Sequence, residues 1–142
     1  MKSFSLKKDC PVRMAKFYPI LLSYEGSGYR MDCIFCKIVN GELPAKKVYE
    51  DEHVLAFHDI NPIAPVHVLM IPKKHIPSLM AIDPEDQELI GHLHLSLQKV
   101  AEIMQVTDTG FRVVTNIGPH GQQTVFHLHY HLIGGRQLEW NM

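Results

Sequence analysis

His127-Leu128-His129-Tyr130-His131-Leu132-Ile133 sets three histidines at every second position of an otherwise apolar run. Strict alternation is the pattern of a strand, in which successive side chains point to opposite faces. His127, His129 and His131 therefore share one face, and Leu128, Tyr130 and Leu132 share the other. The apolar row can be buried in a core. The histidine row is then fixed along one surface, with about 7 Å between like-facing neighbours. Histidine is the side chain best suited to proton transfer, nucleophilic attack or metal binding near neutral pH. Three on one rigid face point to a site.

Working upstream, Phe111 to Asn116 reads as a strand, and the Gly118–Gly121 stretch reads as a loop between it and the histidine run. Before that comes a long helix starting at Asp83. Asp83 suits the N-cap, Pro84 the first helical position, and Glu85 and Asp86 the positive helix start. Leu89, Ile90, Leu93, Leu97, Val100, Ala101 and Met104 recur at helical spacing. His92 and His94 fall in this helix and join no other cluster by spacing, so they read as surface or boundary residues. Val54 to Ile60 and Val66 to Ile71 are two further strands, joined through Asn61-Pro62 and Ala64-Pro65, and form an antiparallel hairpin. Val48 to Glu50 is a shorter strand. Ile34 to Val39 is a short helix ended by Asn40-Gly41. Strands, then one long helix, then strands describe an α+β domain with a mostly antiparallel sheet.

The chain has 142 residues, enough for one domain with a real core. Its 46% hydrophobic and 20% charged content are ordinary for a globular protein. A net charge of −1 gives no whole-protein field toward nucleic acid or a membrane surface. No apolar run is long enough to span a bilayer. Residues 1–30 differ in character: Lys2, Lys7, Lys8, Arg13, Lys16 and Arg30 face only Asp9 and Glu25. They read as a basic, flexible extension, closed by Gly26-Ser27-Gly28, with the ordered domain over 31–142. Met31 opens that domain and could itself be a translation start. Phe17 to Leu22 is too short, and too broken by Pro19, for a good export signal. Cys10, Cys33 and Cys36 make no even disulfide framework. A Cys-x-x-Cys pair without an export signal points to metal or redox chemistry in a reducing, cytoplasmic compartment.

Three readings of the histidine face compete: solvated residues on an exposed sheet, a metal grip that activates water, and a nucleophilic histidine flanked by acid, base or orienting groups. The preceding segment, Asn116-Ile117-Gly118-Pro119-His120-Gly121-Gln122-Gln123-Thr124, offers amides, glycine N–H groups and a hydroxyl. These are uncharged donors suited to phosphate oxygens. The histidine run itself holds no carboxylate to ligate a metal or activate water. Both points favour the nucleophile.

The His-φ-His-φ-His-φ-φ pattern (φ apolar) resembles the motif of the histidine-triad (HIT) family. The resemblance covers residues 32–142. It extends to Ile34-Phe35-Cys36-Lys37-Ile38, Ala56-Phe57-His58-Asp59-Ile60, Ala64-Pro65-Val66-His67 and Ile71-Pro72-Lys73-Lys74-His75-Ile76. Gly134-Gly135-Arg136-Gln137, with Trp140 behind it, is similar to the C-terminal signature of the Hint branch, the nucleoside phosphoramidases. What this implies is a HIT-like fold with a short N-terminal helix, one long helix, and a sheet extended across a homodimer. The implied reaction cleaves the P–N bond of adenosine or guanosine 5′-phosphoramidates through a nucleotidyl-histidine, with no catalytic cofactor. A Fhit-like dinucleoside polyphosphate hydrolase and a nucleotide-binding interaction protein with little turnover are the alternatives.

By the same resemblance, His129 is the nucleophile and His131 contacts phosphate and helps protonate the leaving group. His67 supports the phosphate and the triad, and His127 orients the nucleophile. Asp59 binds both ribose hydroxyls. Ile34, Phe35, Phe57, Ile60 and Leu69 form the nucleoside pocket, with ordinary core packing the competing reading for each. Asn116, Gly121, Gln123 and Thr124 serve the phosphate or leaving group, Thr124 standing where serine is common. Gln122 stands where a second glycine is common, and His120 is unusual beside the loop. Some members complete the Cys33/Cys36 half-site with histidines matching His75 and His127, which implies a structural zinc. Ordinary buried thiols are the alternative.

Overall fold

The central strands of the sheet are apolar on both faces, and this fixes the layers around them. In the computed structural model the described residues are 32–140. The expectations for residues 1–30 and Met31 lie outside them. Five strands, β1 (Lys47–Glu50), β2 (Val54–His58), β3 (Val66–Pro72), β4 (Phe111–Val114) and β5 (Tyr130–Gly134), form one antiparallel sheet in the order β1-β2-β3-β5-β4. The helices are α1 (Ile34–Val39) and α2 (Gln87–Ile103). The α+β expectation is met. All seven residues of β3 are buried, as expected of a strand covered on both sides.

One face carries Val54, Ala56, Val68, Met70, Leu128, Tyr130 and Leu132. It packs beneath Leu93, Leu97, Val100 and Ala101 of α2. The other carries Leu55, Phe57, Leu69 and Ile71, covered by Phe35 and Ile38 of α1. A helix as short as α1 has little stability of its own; burial of those two side chains holds it against the sheet. Gly41 follows its C-cap at φ +77°, the left-handed conformation that lets the chain turn away.

Several element limits move. The alternation predicts strand over the whole histidine run, but the regular ladder starts at Tyr130. Ahead of it, the Leu128 N–H donates to the Ile76 carbonyl (2.6 Å), outside the ladder. The alternation of faces survives, but the histidine row is no surface: His127 and His129 are 0% and 4% exposed. β2 stops at His58 because the Asp59 carboxylate accepts the Asn61 N–H (2.7 Å) and starts a turn. β4 stops at Val114, where the Thr115 hydroxyl turns to the His129 carbonyl (2.8 Å). Asp83 caps a 3₁₀ turn over Pro84–Asp86 before α2 begins at Gln87.

His92 is not a mere boundary residue. The chain brings Asp51 to it from the β1–β2 turn, with Nε2 2.7 Å from Oδ2. His94 is exposed; its Nδ1–H donates to the Ile90 carbonyl (2.8 Å). Among the described residues no helix is long and apolar enough to cross a membrane.

Candidate active site

The alternation that buries Leu128, Tyr130 and Leu132 under α2 turns the odd-numbered residues toward α1. There Phe35 stacks edge-on against His129 (centroids 5.2 Å apart), His127 (5.8 Å) and Phe57 (5.6 Å). Pairing of β3 with β5 sets His131 across from Leu69, and His67 across from Ile133. Val66 and Val68, on either side of His67, belong to the core under α2, so His67 shares the histidine face.

Backbone partners fix which nitrogen of each ring carries the proton. A carbonyl can only accept. The His127 Nε2–H therefore donates to the Pro72 carbonyl (2.8 Å), and its Nδ1 holds the lone pair. The His129 Nδ1–H donates to the His127 carbonyl (2.7 Å), so the His129 lone pair lies on Nε2. An N–H can only donate. The Ile63 N–H reaches His67 Nδ1 (3.2 Å), which puts the His67 proton on Nε2. That proton is donated to His131 Nδ1 (2.9 Å), leaving the His131 proton on Nε2. His131 Nε2 is buried and has no hydrogen-bond partner among the described residues. A nitrogen with an available lone pair and a nitrogen that carries a proton thus stand on neighbouring rings whose centroids are 5.1 Å apart.

Burial disfavours the charged imidazolium and pushes His131 down to about 4. His129 and His67 add to this, while Asp59 opposes it. Burial likewise lowers His67, again opposed by Asp59. Both rings are neutral at pH 7, as the tautomer chain requires. Asp59 arrives from the end of β2, tied by its N–H to the His67 carbonyl (3.0 Å), with Oδ2 3.5 Å from His67 Nε2. The site therefore holds a carboxylate, although the histidine run has none.

The His127 lone pair faces a second cluster. Its Nδ1 lies 3.5 Å from Cys33 Sγ, 3.6 Å from Cys36 Sγ and 3.2 Å from His75 Nδ1, and Cys36 Sγ is 3.2 Å from His75 Nδ1. Four donors on a tetrahedral zinc, at about 2.0–2.3 Å from the ion, are separated by about 3.3–3.8 Å. The contacts fall close to that range, and all four donor atoms lie within 4.8 Å of one another. Burial, more than any other effect, pushes His127 down to about 4, which keeps its lone pair available. The donor set fits a structural zinc. Asp59, His67 and His131 also converge within 4.8 Å. Their tautomers suit a metal poorly, because the His67 Nε2 that faces the others carries a proton.

The remaining expected residues divide. Phe35, Phe57 and Leu69 are buried together in the core under α1. Ile34 is 46% exposed, and Ile60, past the end of β2, is 90% exposed. Asn116 and Gly121 are half-buried, while His120, Gln122 and Thr124 are exposed on the loop. The buried amide of Gln123 is committed to that loop: Oε1 accepts the Gly118 N–H (3.2 Å), and Nε2 donates to the Pro77 (2.8 Å) and Val125 (3.1 Å) carbonyls. Gln123 shapes the loop with its side chain. Glycine fits at 121 where a larger residue would force the loop to shift, because a Cβ would lie 2.4 Å from the Ile117 carbonyl oxygen.

Residues 32–140 match the family model described as the scavenger mRNA decapping enzyme C-terminal binding region. The chain is 54% identical over 109 residues to an uncharacterised HIT-like protein of Synechocystis, covering 77% of this chain and 95% of that relative. The chain belongs to the HIT family. Among solved HIT structures, a histidine triad protein from Clostridium difficile is 50% identical with a TM-score of 0.76, covering 80% of this chain and 98% of that one. A HIT family hydrolase from Legionella pneumophila is 45% identical with a TM-score of 0.75, covering 77% and 97%.

The sequence left several parts of this HIT site unread. Thr115 holds the His129 carbonyl, Pro72 fixes the His127 tautomer and Ile63 that of His67. The latter two act through backbone groups, a carbonyl that every residue carries and an N–H that every residue but proline carries, so their side chains give no signal.

Proposed function

We propose that this HIT protein is a purine nucleoside phosphoramidase that cleaves the P–N bond of adenosine or guanosine 5′-phosphoramidates. The observation that carries the reading is the opposed tautomers of two adjacent rings: His129 with its lone pair on Nε2, and His131 with its proton on Nε2. His129 Nε2 attacks the α-phosphorus and the P–N bond breaks. An amine departing as an anion is a very poor leaving group, so it must take a proton as the bond breaks; His131 Nε2–H supplies it, and the negative charge left on that ring is balanced by the phosphorylated His129, an imidazolium that keeps its Nδ1–H. Water then attacks the nucleotidyl-imidazole, His131 takes the proton of that water, and the nucleoside monophosphate leaves. His67 keeps the His131 proton on Nε2 at the start of each cycle.

Asp59 suits the two ribose hydroxyls, since a carboxylate accepts two hydrogen bonds side by side. The core of Phe35, Phe57 and Leu69 gives the base an apolar wall, with Ile34 and Ile60 at its exposed margins. Residues 115–126, including Asn116, Gly121 and Thr124, contain no lysine or arginine. Uncharged donors suit an amine leaving group better than a polyphosphate, which favours P–N cleavage over dinucleoside polyphosphate hydrolysis.

Cys33, Cys36, His75 and His127 would hold a structural zinc. When bound, it would tie α1 to the chain before β5 and hold His127 under the nucleophile. A homodimer formed along β4 would cover Phe111 and Val113, exposed by 38% and 37% on that edge strand. The thiols of the cluster suit a reducing, cytoplasmic setting.

The test is hydrolysis of adenosine 5′-phosphoramidate by the wild-type chain and by His129→Ala, beside diadenosine triphosphate. Wild-type turnover of the phosphoramidate, lost in the variant, supports the reading. Faster turnover of the triphosphate, or activity that survives the substitution, overturns it.

A further inference from the structure

The Gly134-Gly135-Arg136 turn has a task that the reaction above does not include. Gly135 has φ +83°, and a Cβ there would lie 3.0 Å from Pro65 Cβ and 3.3 Å from Val66 N. Only glycine lets the chain leaving β5 pass this close to the segment between β2 and β3. The approach delivers Arg136, whose Nη2–H donates to the Ile63 carbonyl (3.2 Å). Ile63 is thus held at both ends, its carbonyl by Arg136 and its N–H on His67 Nδ1 (3.2 Å). The side chain contributes little to holding it, being 63% exposed.

We infer that Arg136 is a positioning residue for the proton donor, acting through Ile63 on the tautomer of His67 and so on that of His131. This rests on the reading of His131 as the donor to the leaving group. With the Ile63 N–H displaced, His67 can carry its proton on Nδ1. Its Nε2 then meets His131 as an acceptor, and His131 must answer with Nδ1–H. That leaves a lone pair on His131 Nε2, where the leaving amine needs a proton. The other charged group facing His67 is Asp59, with Oδ2 3.5 Å from Nε2, which favours the working tautomer. A substrate ribose on Asp59 would divert that carboxylate, and the Ile63 contact would then set the tautomer.

The experiment compares the full chain with Arg136→Ala and Arg136→Lys. ¹⁵N correlation spectra of the histidine rings, recorded with and without adenosine, whose ribose engages Asp59, report the tautomers of His67 and His131. Single-turnover rates report bond cleavage for two adenosine 5′-phosphates, one with an alkylamine leaving group and one with nitrophenolate, which departs without a proton. Arg136→Ala is expected to populate the Nδ1–H form of His67 and to slow amine release about tenfold, a tenth or less of the usual effect of general acid catalysis. Nitrophenolate release is expected to be unchanged, and lysine, which retains a donor, to restore both the tautomer and the rate. Unaltered tautomers, or equal loss with both leaving groups, would overturn the inference. Absence of phosphoramidate turnover in the wild-type chain would instead count against the proposed reaction, while the spectra would still judge the contact.

Discussion

Gly121 and Gln122 are neighbours on the loop, and the structure gives their substitution opposite consequences. Gly121→Ala puts a Cβ 2.4 Å from the Ile117 carbonyl oxygen and 2.9 Å from the Ile117 nitrogen. That is about 1 Å inside ordinary contact, and both partners are backbone, so no side chain can yield. Relief requires Ile117 to move, and Asn116 with it. Overpacking of this kind costs about 1–3 kcal/mol. Gln122 sits at φ +58°, a left-handed conformation costing an ordinary residue about 1–2 kcal/mol. Gln122→Gly removes that strain but adds about 0.5–1 kcal/mol of unfolded-chain entropy, so the net gain is at most about 1.5 kcal/mol. With roughly 4 °C per kcal/mol for a domain of this size, Gly121→Ala should lower Tm by about 4–12 °C. Gln122→Gly should leave it unchanged or raise it by up to about 6 °C. Calorimetry of both variants, with KM for adenosine 5′-phosphoramidate, makes the comparison. KM should rise only in Gly121→Ala. A tolerated Gly121→Ala, or a Gln122→Gly that destabilises as strongly, would refute the account of the loop.

Gln123→Ala should cost about 2–3 kcal/mol, because it strands the Gly118 N–H and two carbonyls; urea unfolding measures the loss. The wild-type chain should bind one zinc tightly and Cys36→Ser should not, which metal titration with a chromogenic chelator would show. Chelation should lower Tm while the folded spectrum persists at low temperature. His131 is held down to about 4 and His67 is also lowered. Below the unfolded value near 6.5 the unfolded chain therefore binds protons that the folded chain refuses. Stability should be full above about pH 6.5 and fall toward pH 4, by up to about 1.4 kcal/mol per pH unit for each group. Urea midpoints that do not change between pH 7.5 and 5 would contradict the buried neutral assignment.

Elements whose signal was local were legible in the sequence. The six residues of α1 fall where the apolar run meets Asn40-Gly41, and the two proline dipeptides, Asn61-Pro62 and Ala64-Pro65, fall between the paired strands β2 and β3. Limits set by long-range partners were not. β2 and β4 end where side chains capture distant or turn-forming backbone groups, and periodicity carries no trace of those contacts. The site shows the same division. The motif exposed the histidines, but their burial was hidden because Phe35 arrives from a helix some 90 positions earlier. His92 looked idle for a similar reason, since Asp51 lies 41 residues away.

Residue type alone does not decide what each histidine does. His127, His129 and His131 are chemically identical and evenly spaced, yet one turns an Nδ1 lone pair to two thiols, one keeps its lone pair on Nε2 and one keeps a proton there. The difference comes from what the other nitrogen of each ring meets: the Pro72 carbonyl, the His127 carbonyl, and a His67 whose own tautomer is set by the Ile63 N–H. Each determinant begins in a backbone group, so side-chain substitution at Pro72 or Ile63 need not remove it. Burial makes the choice strict, because a ring in its other tautomer would set two acceptors or two donors against each other where a hydrogen bond now stands. The alternating motif therefore specifies where the rings stand, and the fold assigns their chemistry by choosing which backbone groups they touch.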